Sequence, residues 1–497
     1  MTRQDASFDG WESYPQNLQL SPVEVCAKDY DKRLSQVGKR LFVEPHESEV
    51  RTIELGPVRH DELRDVENGI IGSSAQLRAS FETGYPDCIF LLHQSYSWGR
   101  LQVSEPILRE LFTGLQVHPE FLEILFLFGE KLGPTEESFS SFCSHCRPVV
   151  ASLSSYGLSG PLCSYDIGYN IKYAAPHMRT FPKDPYSLRE TGVYHSFDAR
   201  TQKAKWVFIQ SSAPLEDRLK RCFSHPVDTH DASQFKIHGV ILQTALNGWR
   251  DYLVYLEDTF SKLSDQGFHT RVSGPRGEGD LDVDFSDIRS LRALTAKMRR
   301  LLQIISLNVE VAERMRTWTL RVKSHSPHQL SDAFDDLEST IQTFIMCSNI
   351  HCSRLSSMMD RGREIQGLIQ SMLEARTNEG SNMLNNRMAR LAEISADENR
   401  LIAGLTYQTT RDTRAMSTIS FISAVFLPAT FLATMFGMNF FAFAGGRIII
   451  ATNFWIYIIM AACSSGVTVT IWYCWQRRIE ANAPPYPPTL ASNMVKI

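Results

Sequence analysis

Ser423, Thr430 and Thr434 stand seven and four residues apart inside MSTISFISAVFLPATFLATMF (416–436), a run without a charged residue. On a helix of about 3.6 residues per turn those steps keep the three hydroxyls on one face. A hydroxyl on a helix otherwise fit for lipid turns toward protein or water, so the set reads either as contacts between helices or as oxygens along an aqueous path. The same three- and four-residue steps take in Leu427, Ile419 and Met416, reach back through Leu405 and Leu391 to Met388, and end at Gly437. There the run closes on Gly437-Met438-Asn439, a tripeptide short enough to arise by chance, whose meaning has to come from its flanks.

Other spacings that could do chemistry are weaker. Cys143-Ser-His-Cys146 has the C-x-x-C interval of a zinc or redox pair, but no second ligand pair follows at finger spacing, so it is not read as a metal site. His351-Cys352 reads as part of a helix face. The chain shows no phosphate-binding loop, nucleophile elbow, H-E-x-x-H or dinucleotide fingerprint, and the reading is that it is not an enzyme. A formal charge of −4 without a concentrated basic patch sets nucleic acid aside as a partner.

The elements that would position these residues are two uncharged segments. Nothing is charged between Arg414 and Arg447, and 416–436 has about the 20 residues that a helix needs to cross a ~30 Å hydrocarbon core. The second, IIIATNFWIYIIMAACSSGVTVTIWYCW (448–475), is equally free of charge. A pair of buried core helices is the alternative, yet such helices rarely stay uncharged on every face for this length. Arg411 and Arg414 before the first span and Arg477 and Arg478 after the second, against Arg447 alone between them, predict that both termini face the cytosol. Phe436, Phe440, Phe441 and Phe443 suit the outer interface, and Trp472, Tyr473 and Trp475 the inner one. Ten scattered cysteines and an acidic opening, MTRQDASFDG, with no signal peptide or presequence fit reduced thiols and insertion by internal segments.

The predicted fold class is an α+β cytosolic domain followed by long helices and a C-terminal two-span α-helical membrane hairpin. The expected order is a polar, disordered segment (1–45), an α/β domain (46–245) and a helical region (246–381) with an exposed acidic, Gly-rich linker near 266–284. A stalk helix (382–415), the first span (416–437), an outer loop (438–447), the second span (448–475) and a basic then Pro-rich tail (476–497) complete it. Within the α/β domain RTIELG, DCIFLLHQ and AKWVFIQSS read as strands, and SEPILRELFTGL and PEFLEILFLFGEKL as helices. Helical spacing recurs over 235–265, 285–318 and 330–373.

Phe426-Leu427-Pro428, Thr430, Phe431 and Phe436-Gly437-Met438-Asn439-Phe440, placed at the outer end of the penultimate span with a long helix before them and a short loop, a second span and a basic tail after, resemble the CorA magnesium-transporter family. The likeness is to its divergent branch in filamentous fungi. The specific match covers about 405–478, and DPYSLRETGVYHSFDARTQKAKWVFIQSS (184–212) is also similar to a stretch of the fungal relatives. The resemblance implies a homopentameric funnel whose first spans line a pore and whose second spans form an outer ring. It implies an outer filter of Gly437, Met438 and Asn439 and a lining of Thr430, Thr434, Leu427, Ser423, Ile419 and Met416. Mg2+ gives up its octahedral water shell reluctantly, so a ring of Asn439 amide oxygens would hold the hydrated ion through its waters. Leu427, Ile419 and Met416 would form an apolar constriction, and Pro428 a bend. The implied partners are the lipid bilayer, further copies of the chain and divalent cations. Mg2+ is the transported and also a regulatory ion, and no other cofactor is expected.

For regulatory metal the acidic candidates are Asp280, Asp282 and Asp284 in the linker and Asp332, Asp335, Asp336 and Glu338 at a helix start, none assigned by a motif. DLDVDFSD lacks the Gly and Glu of an EF-hand and reads as a solvated linker before a Ser286 N-cap. The outer loop FFAFAGGRIII lacks the acidic residue of better-known members and carries Arg447. Two alternatives therefore stay open: a non-conducting CorA-like sensor or scaffold, and an enzyme tethered by the hairpin with a pocket in 50–245. The expected location is the plasma membrane or the vacuolar membrane.

Overall fold

The structure, a computed structural model, describes residues 8–18, 26–55, 66–82, 87–133, 135–149, 162–177, 179, 184–199, 201, 203–224, 230–269, 285–325, 331–435, 441–444 and 446–481. It divides into two units, Met1–Arg376 and Thr377–Ile497. The elements run α1 (Ala27–Leu41), β1 (Val50–Leu55), β2 (Val66–Ile71), α2 (Ser74–Glu82), β3 (Asp87–Leu92), α3 (Glu105–Leu115), α4 (Leu122–Leu125), β4 (Phe142–Val149), β5 (Leu162–Pro176), β6 (Tyr186–Asp198), β7 (Lys203–Ile209), α5 (Ala213–Ser224), α6 (His230–His269), α7 (Phe285–Lys323), α8 (Ser331–Met435), β8 (Phe441–Ala444), β9 (Arg447–Ile450) and α9 (Phe454–Ala481).

In the first unit seven strands form one sheet in the order β2-β1-β3-β7-β6-β5-β4, with β3 and β7 parallel and the other neighbours antiparallel. Strand alternation sorts β5: Tyr165, Ile167, Tyr169, Ile171 and Tyr173 share one face, and pack with Ile237 and Ile241 of α6, Val311 and Trp318 of α7, and Phe334 at the start of α8. On the other face Phe90, Leu92, Tyr194 and Val207 meet Leu34 and Leu41 of α1 and Leu108, Leu111 and Phe112 of α3. Helices thus cover both faces, which explains why β3 reads as the continuous apolar run CIFLL. A third core joins α6, α7 and α8 through Leu253, Leu256, Leu291, Met298, Leu301 and Leu355.

Two residues fit the helices to the sheet. A Cβ on Gly248 would stand 1.9 Å from Ala174 O, so only glycine lets α6 lie this close to β5. Asn308 of α7 takes the place of a missing strand: β4 ends its pairing at Phe142 opposite Tyr169, and beyond that point Lys172 N donates to Asn308 Oδ1 at 3.1 Å while Asn308 Nδ2 donates to Lys172 O at 2.7 Å. Buried backbone groups need such partners.

Several sequence expectations are corrected. The segment 1–45 is packed where it is described: Tyr14 is fully buried, its hydroxyl donates to Val117 O at 2.9 Å, and Leu34 and Leu41 enter the core. Its anchor is buried Arg109, which donates to Tyr14 O at 2.5 Å and pairs with Asp31 at 2.8 Å. Polar composition hid this because α1 needs only one apolar stripe to dock. PEFLEILFLFGEKL is not one helix but a 3-10 turn (Pro119–Phe121), the short α4, and irregular chain ending at Gly129 with φ +95. Its apolar residues from Phe121 to Phe128 are all buried, and such a run carries no periodicity to fix its conformation. Residues 331–373 and 382–415 lie in one helix, α8. In the second unit 448–450 belong to β9, and the helix begins at Phe454. Three consecutive isoleucines after Gly446, which sits at φ +76, favour the strand of a tight hairpin over a helix start.

Candidate functional site

The second unit holds the hairpin. α8 and α9 each contain an 18-residue window of mean hydropathy 1.7 and 1.8, long and apolar enough to cross a membrane. Three hydroxyls of α9 reach carbonyls of α8: Tyr457 Oη to Ala429 O at 3.2 Å, Ser465 Oγ to Val425 O at 3.2 Å and Thr468 Oγ1 to Ala424 O at 3.3 Å. The rings of Phe421 and Trp472 meet at 5.6 Å between centroids. Ala424, Ala429, Ser464 and Ser465 are small enough to allow this approach, as packing in lipid requires. Pro428 has no N–H for the carbonyl one turn before it, that of Ala424, and Thr468 supplies a donor there.

These contacts fix which side of α8 faces α9. Ala424, Val425, Pro428, Ala429 and Leu432 are half-buried, whereas Met416, Ile419, Ser423, Leu427, Thr430 and Thr434 are all exposed. At about 100° per residue the second group lies roughly 200° around the helix from the first. The six residues expected to line a pore therefore form a single face turned away from α9. Thr430 Oγ1 donates to Phe426 O at 2.9 Å and Thr434 Oγ1 to Thr430 O at 3.0 Å. With its proton engaged in the helix, each threonine oxygen offers only acceptor lone pairs outward, which suits the hydrogens of water around a cation.

The remaining expected residues are not gathered here. Gly437, Met438 and Asn439 lie outside the described residues, as do Asp280, Asp282 and Asp284. Of the helix-start acids, Asp335 is bonded to Lys323, which holds its carboxyl below the usual range, and Glu338 pairs with Arg316 at 3.4 Å. Bases of α7 thus neutralise two of the four, leaving Asp332 and Asp336 as the candidates without that neutralisation. Cys143 and Cys146 cannot grip one ion: Cys143 belongs to the core beneath α1 and α3, and Cys146 packs against the core on the opposite face of the sheet. The first unit also encloses a cavity of about 50 Å3 lined by Lys131, Glu137, Lys172, Arg189 and Glu190, with Lys172 and Glu190 paired at 3.4 Å. That space suits one or two waters, far below the several hundred Å3 of a usual substrate pocket.

A family model described as CorA-like transporters matches residues 6–267, more than half of the chain. The chain belongs to the CorA-like transporter family. Family membership is thus carried by the sheet and α6, and the 184–212 stretch falls inside the matched residues. Among solved structures, similarities include the complete CorA magnesium transporter of Methanocaldococcus jannaschii (12% identity, 85% of this chain and 96% of that one, TM-score 0.33). Others are full-length CmaX (12%, 87% and 98%, 0.32) and the ZntB cytoplasmic domain of Vibrio parahaemolyticus (9%, 64% and 97%, 0.33). Likenesses at these scores carry no weight beside the family match. No curated protein matches the chain. With two candidate spans, this CorA-like transporter is a membrane protein.

Proposed function

We propose that this CorA-like chain conducts hydrated divalent cations, Mg2+ first, down their electrochemical gradient through a homopentameric pore lined by α8, with Gly437, Met438 and Asn439 as its outer filter. The observation that carries the reading is the face of Ser423, Thr430 and Thr434 with Leu427, Ile419 and Met416, turned away from α9 and exposed in the single chain. Hydroxyl acceptors interleaved with apolar residues are what a path for a hydrated ion and a dewetting gate require. Self-association is supported by Met388, Leu391, Ile402 and Leu405, apolar residues of α8 that are each more than half exposed in the single chain. Two charges crossing an inside-negative potential of 100 mV release about 4.6 kcal/mol, so no nucleotide is needed. The arginine distribution supports both termini in the cytosol.

The test is Mg2+ influx into liposomes holding the purified chain, beside Asn439→Ala. Flux that the substitution abolishes or makes unselective supports pore and filter together. A folded, oligomeric protein without flux would overturn conduction and leave the scaffold reading, which the acid-free loop before Arg447 favours.

A further inference from the structure

Two histidines and a glutamate meet in the first unit. His118 and Glu120 flank Pro119 at the turn after α3, and His145 stands on β4, the edge strand. The imidazole rings of His118 and His145 lie 3.7 Å apart between centroids, tilted by 33°. Glu120 Oε2 is 3.9 Å from His118 Nδ1 and 3.6 Å from His145 Nε2, and one ligand atom from each residue lies within 4.8 Å of the others. Ligands at ~2.0–2.1 Å from a tetrahedral metal stand about 3.3 Å from one another, so a modest closing of the three and a splaying of the two rings would seat an ion.

His118 faces Glu120 through Nδ1, 3.9 Å from its carboxylate. Its Nδ1 accepts only a long bond of 3.4 Å from Glu120 N. Asp166 stands opposite His145 in the β4–β5 register, 3% exposed, and its Oδ1 is buried without a hydrogen-bond partner. Its other oxygen holds Arg147, which compensates a positive charge beside the cluster. Among the described residues the group within ligand reach is His118, Glu120 and His145, without Cys143, so the ligand set is nitrogen and oxygen without thiolate.

We propose that His118, Glu120 and His145 bind one borderline divalent transition metal of the Zn2+ class, with the Asp166 carboxylate behind them and water completing the shell. Imidazole nitrogen selects such metals over hard Mg2+, so this site is separate in chemistry from a path for hydrated cargo.

The full-length chain in detergent, stripped with a chelator, is titrated with Zn2+ and with Co2+ in excess Mg2+. The expected result is one tight equivalent, and a Co2+ complex whose absorption shows d–d bands without a thiolate charge-transfer band. His118→Ala and His145→Ala each remove that equivalent, Asp166→Asn weakens it about 10-fold or more, and His46→Ala, at an exposed position, leaves it intact. An equivalent retained by a folded His118→Ala/His145→Ala double variant overturns the proposal. A thiolate band, or no tight equivalent, in the wild-type chain overturns it without recourse to any variant.

Discussion

Thr468 Oγ1 of α9 reaches the carbonyl of Ala424, 3.3 Å away on α8, and that carbonyl is the one Pro428 deprives of its helical donor. Sequence reasoning saw Pro428 as a bend in one helix. In the hairpin it is also a docking point, because the freed carbonyl draws a hydroxyl from the other helix. The same hydroxyl lies 3.0 Å from Ser464 O and Ser465 O, so its proton is shared between its own helix and its neighbour.

Thr468→Val is therefore expected to destabilise the hairpin by about 0.5–1 kcal/mol, the usual worth of a shared hydrogen bond in lipid. In a Pro428→Ala background an N–H returns to Ala424 and the same substitution should cost clearly less. A double-mutant cycle of thermal melts on the full chain in detergent measures the difference. Equal costs in both backgrounds would separate Thr468 from the proline.

Thr434→Val keeps the shape of the side chain and removes the outward acceptor. On the pore reading, in which Thr434 stands three residues before Gly437 in the sequence, Mg2+ flux falls about tenfold, because a desolvated polar contact to the ion's water shell is worth about 1.4 kcal/mol. Val467→Ala on α9, at an exposed position, should leave flux unchanged. Equal flux in Thr434→Val and wild type would remove the Thr430/Thr434 face from the path.

How much of this was legible follows from what each residue has to do. The spans showed themselves because lipid forbids charge, and the face from Met416 to Thr434 because a helix repeats every three or four residues. β5 did not: LCSYDIGYNIKYAAP mixes tyrosines with Asn170 and Lys172, polar residues that are buried because Asn170 Oδ1 accepts from Ser141 N while Lys172 Nζ donates to Phe139 O and pairs with Glu190. Tyr14 and Arg109 are 95 residues apart, and their bond exists only once α3 and the N-terminal segment pack. His118 and His145 are likewise brought together only by the turn against β4. The filter tripeptide lies outside the described residues, so its role rests on the sequence.

Asn308→Leu tests the side chain that substitutes for a strand. It fits the space but leaves Lys172 N–H and C=O buried without partners, at a cost of about 1–3 kcal/mol for each group. A loss of roughly 2–6 kcal/mol in denaturant unfolding of the full chain is expected, against less than about 1.5 kcal/mol for a size-conserving swap such as Ile305→Leu in the same helix. A small effect at Asn308 would mean that β5 finds other donors there.

Stability should fall in mild acid because of a buried histidine pair. His238 Nδ1 meets Tyr169 Oη at 2.9 Å, its Nε2 meets His195 Nδ1 at 3.1 Å, and His195 stacks on Trp206 with centroids 3.7 Å apart. Burial lowers His238 from 6.5 to about 3; burial, then the neighbouring His238, lowers His195 well below 6.5. The folded pKa lies below the unfolded one, so between about pH 6.5 and 3 the unfolded chain binds protons that the folded chain refuses. Stability attributable to the pair is full above pH 6.5 and is lost as pH falls, by about 2 kcal/mol at pH 5 for His238 and in the same direction for His195. Thermal melts of the full chain between pH 7.5 and 5 should show that decline, and His238→Gln, which cannot take up the proton in either state, should flatten it. A variant that is less stable overall but declines as steeply as wild type would place the acid sensitivity elsewhere.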